Sequence, residues 1–181
     1  MIFCRIPSLL GLVLLVAGCA TPYTIVHDLD TPVGKTASFA VTSIADNLRV
    51  DIDPADRPTQ EQMDRLRSEI AAAIEDLDEI QWSATESAMA ADYEIRGRLV
   101  DFAPGNGLLR FLVGFGAGSA RITIVLELYS AWDDRVIFTG RYEDYVVSWA
   151  EGGDAMYARI AKAFAQHIED QQEKLREGTS R

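Results

Sequence analysis

The chain has 181 residues, enough for one domain whose core needs no disulfide or metal staple. It carries 17 basic and 28 acidic side chains, a formal net charge of −11. That balance argues against a nucleic-acid partner, whose binding rests on Lys and Arg neutralising phosphates. Both cysteines, Cys4 and Cys19, lie near the N-terminus, so no disulfide is expected within the fold.

Residues 1–18 hold one charged side chain, Arg5, followed by the apolar run 9–16 and the small residues Ala17 and Gly18. This is the n-region, h-region and cleavage site of a signal peptide. The run is shorter than the ~20 apolar residues of a membrane-spanning helix. Its end, Val16-Ala17-Gly18-Cys19, resembles the bacterial lipobox, with valine where leucine is commoner. The resemblance implies cleavage just before Cys19, a diacylated thiol and often an acylated amine, with chains such as palmitate. Ala20 follows, not the aspartate that retains many such proteins in the inner membrane, so the same resemblance favours the outer membrane, with the chain facing the periplasm. The bland alternative is an ordinary signal peptide cut next to a chance cysteine. Without residues 1–18 the chain has 16 basic and 28 acidic residues, a net of −12. That charge disfavours electrostatic docking on anionic lipid, leaving the acyl chains on Cys19 to hold the protein at the membrane.

Residues 19–35 read as a lipidated tether with one short edge strand around Tyr23 and Val26. Gly34-Lys35-Thr36 imitates the end of a P-loop, but Leu29 stands where the first glycine belongs and no helix follows. Ala37-x-Phe39-x-Val41 and Leu48-x-Val50-x-Ile52 alternate as two strands separated by a turn at residues 45–47. Asp51, Asp53 and Asp56 form a small acidic group, but Ala55 and Asp56 occupy positions where a calcium loop needs an oxygen ligand and a glycine, so no metal is expected. Thr59 and Gln62 form a capping box that opens a helix of about twenty residues, with Met63, Leu66, Ile70, Ala73, Ile74 and Leu77 as its apolar stripe.

Ile80-Gln81-Trp82 suggests a brief strand, and Tyr93, Ile95, Gly97 and Leu99 alternate with Glu94, Arg96 and Arg98 as a longer one. Pro104, Gly105 and Gly107 end it. Residues 111–120 are apolar and carry Gly114, Gly116 and Gly118, a backbone hinge. In the next strand Ile122, Ile124, Leu126 and Leu128 point one way, and Arg121, Thr123, Glu127 and Tyr129 the other. Trp132-Asp133-Asp134-Arg135 turns the chain into residues 136–147, where Phe138 and Tyr142 face the core and Thr139, Arg141 and Glu143 face solvent. Asp154 caps a last helix with Met156, Ile160, Ala163, Phe164, Ile168 and Leu175 on its buried stripe, and a tail, 177–181, is expected to fray.

Gly97-Arg98-Leu99-Val100-Asp101-Phe102, leading to Leu112-Val113-Gly114-Phe115-Gly116-Ala117-Gly118-Ser119-Ala120 and the hairpin, resembles a family of bacterial lipoproteins catalogued as domain of unknown function 4410. The departure is the turn, where that family has an aspartate followed by Thr-Gly. The family's activity is unassigned, so the resemblance carries over no catalytic residue.

The residues themselves also point away from catalysis. The two histidines are isolated: His27 lies in the tether, and His167 borders the apolar stripe of the last helix as a structural residue. No Cys/His cluster suits zinc, no serine sits in a Gly-x-Ser-x-Gly elbow, and no cofactor motif is present. The glycine segment is no dinucleotide loop, because a strand follows it, and its ten uncharged residues are half a membrane span. Three readings stay open: a bend where another backbone approaches, a short inserted hairpin, or an apolar docking surface of Leu108, Phe111, Leu112 and Phe115.

The expected fold is α+β, an antiparallel or mixed sheet of five to six strands with two amphipathic helices packed on one face and residues 36–176 as a single domain. The expected function is that of a non-enzymatic, lipid-anchored outer-membrane lipoprotein binding an envelope protein partner. The alternative is a carrier for a small apolar ligand or lipid.

Overall fold

A computed structural model describes residues 22–48, 52–53, 56–104, 120–146 and 154–179. Its strands are β1 (Tyr23–His27), β2 (Thr36–Asp46), β3 (Gln81–Ala84), β4 (Tyr93–Ala103), β5 (Arg121–Ser130) and β6 (Arg135–Tyr145). The helices are α1 (Gln60–Glu75), between β2 and β3, and α2 (Asp154–Thr179), after β6. The strands form one mixed sheet in the order β1-β6-β5-β4-β2-β3. The pairs β1–β6, β6–β5 and β5–β4 are antiparallel, whereas β2 is parallel to both β4 and β3. The fold is therefore α+β.

The alternation of β4, β5 and β6 places the rows Ile95–Leu128–Phe138 and Leu99–Ile124–Tyr142 on one face, all essentially inaccessible to solvent. Both helices cover that face. Phe164 of α2 packs tilted on Phe138 and edge-on to Tyr142, and Leu66, Ile70 and Ile74 of α1 complete the same core. The α1 stripe lies where the three-four spacing puts it, with Met63 and Ala73 at its half-buried margin, but the helix ends at Glu75 after 16 residues, not about twenty, and Leu77 packs on the core just beyond it. Thr59 Oγ1 accepts from the Gln62 amide at 3.2 Å, and Gln62 Oε1 accepts from the Thr59 amide at 2.8 Å. These two bonds satisfy otherwise orphaned donors and stabilise the helix by about 1 kcal/mol.

Several expectations need correcting. β2 continues to Asp46, so no turn interrupts residues 45–47 on its strand side. The turn starts after it, where Asp46 Oδ1 accepts from the Leu48 amide at 3.1 Å, a local bond of the kind aspartate uses to stop a strand. Leu48 is buried but not in a strand, and the rest of that expected strand, apart from Ile52, lies outside the described residues. Thr139 is buried, not solvated, because β6 is an inner strand and Thr139 is flanked by Glu127 of β5 and His27 of β1. α2 extends to Thr179, into the tail set off at residue 177, with Leu175 packed on the core and Arg176 paired to Glu79 at 3.1 Å. Asp154 is the first residue of that helix.

The segment read as a tether belongs to the domain. β1 completes the sheet edge, and Leu29 and Val33 sit in the main core. The buried side chain of Gln172 on α2 holds Val33 from both sides: its Oε1 accepts from the Val33 amide, and its Nε2 donates to the Val33 carbonyl, each at 2.9 Å. Gln172→Ala would leave two buried main-chain groups without partners. We expect it to cost about 2–6 kcal/mol in urea unfolding, at ~1–3 kcal/mol for each of the two orphaned groups. A loss below about 0.5 kcal/mol would show that water replaces both bonds.

Candidate functional site

One end of the sheet collects the features of most functional interest. Ala103 of β4, Arg121 of β5 and Tyr145 of β6 lie in one register row. Just beyond it the Val146 amide donates to the Ala120 carbonyl at 2.9 Å. β1 begins at the same end, where the Glu143 amide donates to the Pro22 carbonyl at 3.0 Å. Pro22 is the third residue after Cys19. The chain is thus tied into the sheet almost immediately after the predicted acylation site.

Cys19 itself lies outside the described residues, as do Leu108, Phe111, Leu112, Phe115 and the hinge glycines Gly114, Gly116 and Gly118. What can be placed are the flanks of the glycine segment. Pro104 ends β4 and Ala120 precedes β5, both at the sheet end where Pro22 enters.

Next to this end sits an aromatic cluster that sequence periodicity did not reveal. Pairing of Tyr23 with Tyr142 across β1 and β6 puts both rings beside His167 of α2. The Tyr23 and His167 ring centroids are 3.8 Å apart, and Tyr142 Oη lies 3.2 Å from His167 Nδ1. Burial pushes the Tyr142 hydroxyl far above its ordinary range, with Tyr23 adding to the effect, so it stays a neutral phenol. Burial likewise pulls His167 below its ordinary value, outweighing Asp170, with Lys174 acting in the same direction. The imidazole and the phenol thus pack together, their ring centroids 5.8 Å apart.

The sign of the resulting pH effect is fixed. A histidine depressed in the folded state binds fewer protons there than in the unfolded chain. Its contribution is complete above the ordinary histidine pKa of ~6.5 and is lost as pH falls from there toward the folded value. Unfolding midpoints should therefore fall between about pH 7 and 5, and His167→Gln should flatten that part of the profile. An unchanged slope in His167→Gln would assign the effect to other groups.

Asp144 is the buried carboxylate of this end. It alternates onto the helix-facing side of β6 after Phe138, Gly140 and Tyr142, and Arg159 Nε of α2 meets its Oδ2 at 2.7 Å. A carboxylate on the apolar side of a strand was the readable signal of a buried pair, since an unpaired charge there would be costly. Arg121 and Asp101 pair across the exposed face at 2.6 Å.

The opposite end carries the β5–β6 turn at residues 131–134. Asp134 takes φ 52 there, a left-handed conformation that aspartate tolerates better than most residues, and its carboxylate bonds the Tyr129 hydroxyl. Asp92 at this end accepts from the Ser38 amide and hydroxyl, both at 2.8 Å, and from Trp132 Nε1 at 3.2 Å. The bond from the Ser38 amide is the main cause holding Asp92 below its ordinary value.

Gly34 forms no phosphate loop. Its amide donates to Tyr93 Oη at 3.1 Å, its carbonyl accepts from Trp82 Nε1 at 2.8 Å, and β2 follows. Among the described residues no three His, Cys, Asp or Glu side chains gather as metal ligands, and no helix is long and apolar enough to cross a membrane. An open groove of about 490 Å³ between α1 and α2 is edged by Glu69, Asp76, Asp78, Glu169 and Lys162.

No curated protein matches the sequence. Among solved structures, PelC from Paraburkholderia phytofirmans, a dodecamer, is similar to this chain with a TM-score of 0.59 at 13% identity, over 81% of this chain and 97% of that one. A point variant of that dodecamer matches with a TM-score of 0.60 at 12% identity, over 82% and 96%. Lipoprotein GNA1162 from Neisseria meningitidis matches at 0.42 and 9% identity, over 74% and 99%. At these identities the PelC match bears on the fold alone. The family model described as a domain of unknown function, DUF4410, matches residues 41–172, from the middle of β2 to Gln172 on α2. The chain belongs to the DUF4410 family.

Proposed function

We propose that this chain is a non-enzymatic lipoprotein, anchored in the outer membrane through acyl chains on Cys19, whose domain binds an envelope protein in the periplasm. The observation that carries the reading is the lipobox-like Val16-Ala17-Gly18-Cys19 placed four residues before β1. A cleaved and acylated Cys19 would leave a short link between the anchor and a folded domain.

Crosslinking in cells, with recovery of the protein through a C-terminal tag, tests the partner. The expected result is an envelope protein captured by the anchored chain and lost in a Cys19→Ala control released to the soluble fraction. Equal recovery of every protein in both would contradict it. Self-association is a second reading, supported by two observations. The PelC neighbour is a dodecamer, and β1 and β3 are both edge strands in this sheet, able to pair with a further strand. Sedimentation of the mature domain separates a second copy from a foreign partner. The carrier reading has less support, because the groove between the helices is open and edged by four carboxylates.

A further inference from the structure

The position of Pro22 fixes more than attachment. Three residue steps separate it from Cys19, at most ~11 Å of extended chain. Its carbonyl is held by the Glu143 amide, so it cannot swing away without breaking the β1–β6 ladder. Tyr145 lies two residues further along β6 toward the same end, is 46% exposed, and pairs with Arg121. The far end of the sheet, at Ser130 and Arg135, is nine residues along β5, ~30 Å away.

Charge divides the two ends in the same sense. At the Pro22 end the partners of the ion pairs Arg121–Asp101 and Arg159–Asp144 neutralise each other, and Glu143 is an exposed carboxylate. At the far end Asp28 and Asp30 follow β1, Asp78 and Glu79 precede β3, and Asp133 and Asp134 form the hairpin turn, all of them exposed. Among the described residues Arg135 pairs with Asp30 and Arg176 with Glu79, and His27 lies 3.4 Å from Asp30. An anionic bilayer surface repels the second end more strongly than the first, and an exposed tyrosine suits the headgroup region.

We propose that the anchored domain stands end-on on the phospholipid surface, with the sheet end of Pro22, Arg121 and Tyr145 seated at the headgroups and the acidic hairpin end ~30 Å above it. The proposal rests on acylation of Cys19. Its partner is the bilayer, and its consequence is that the hairpin turn, including the exposed Trp132, is presented away from the membrane.

The mature chain contains no thiol besides Cys19, so single labels are clean. Full-length acylated protein carrying Tyr145→Cys, Glu143→Cys or Trp132→Cys, each labelled with bimane, is reconstituted into phosphatidylethanolamine–phosphatidylglycerol vesicles holding a headgroup nitroxide lipid. Labels at 145 and 143 are expected to be quenched at least threefold more than the label at 132. A ten-residue Gly-Ser insertion between Ala20 and Thr21 should reduce that difference. Vesicle flotation with equal quenching at both ends, or stronger quenching at 132, overturns the orientation while leaving the anchor intact. Failure of the acylated preparation to float with vesicles overturns the anchor and the orientation together. The use of two near-end positions guards against a local effect of one substitution on folding.

Discussion

Placing residues 19–181 behind an ordinary cleaved signal peptide, with Cys19→Ala, is expected to move the protein from the membrane fraction to the soluble periplasm almost completely. The size of the effect follows from the anchor. Acyl chains contribute ~0.8 kcal/mol per buried CH₂, and one chain alone gives only marginal binding, whereas two or three hold a protein stably. No described helix is long and apolar enough to span, and the net charge of the mature chain repels anionic lipid. A hundredfold change in the membrane-to-soluble ratio is therefore a conservative expectation, on the order of 3 kcal/mol. Unfolding of the released domain should stay within about 0.5 kcal/mol of the anchored form, because Cys19 precedes every described element. Retention of the alanine protein in the membrane at wild-type levels would mean that a protein contact does the work assigned to lipid.

Gly140→Ala is the second large expected effect, this one on stability. Gly140 lies on the helix-facing side of β6 between Phe138 and Tyr142, and the Tyr142 ring folds back over it. A Cβ there would stand 2.5 Å from Tyr142 Oη and 2.7 Å from Cε2. A flexible side chain could yield cheaply, but this ring is fully buried, edge-on to Phe164 and bonded to His167. Overpacking of this kind costs about 1–3 kcal/mol, or roughly 2–12 °C in melting temperature for a domain of this size. Displacing Tyr142 should also relax His167 toward its ordinary titration and weaken the acid-side slope described above. Gly178→Ala is the control, since nothing lies within 4 Å of a Cβ at that helical position and no loss is expected. If Gly140→Ala were as stable as wild type, the ring over Gly140 would have to be free to move, and the aromatic cluster would not be the packed group described.

Much of this fold was readable from local pattern. The capping box at Thr59 and Gln62 marks the start of α1 because it is completed within four residues. The alternation of β4, β5 and β6 identifies their buried rows because strand period and burial coincide. What was not readable depends on partners far apart in sequence. Leu29 and Val33 look like apolar residues in a polar tether until Gln172, 139 residues after Val33, closes on the main chain. Thr139 reads as solvent-facing until β1 is known to pair with β6. The parallel placement of β2 between β4 and β3 leaves no mark in either strand's own composition. The same division holds for the site. The lipobox-like signal at Cys19, whose acylation is proposed above, is contiguous in the sequence, whereas the Tyr23–Tyr142–His167 cluster exists only through the register of β1 on β6 and the seating of α2.

The end-on arrangement, the shift to the soluble fraction and the periplasmic binding role all require one covalent fact. Intact-protein mass spectrometry of the chain extracted from membranes tests it directly. The account predicts a mature species starting at Cys19, heavier than residues 19–181 by a diacylglyceryl group and, in the fully processed form, one further acyl chain, with processing blocked by globomycin. An unmodified N-terminus produced by cleavage that globomycin leaves unchanged would contradict it.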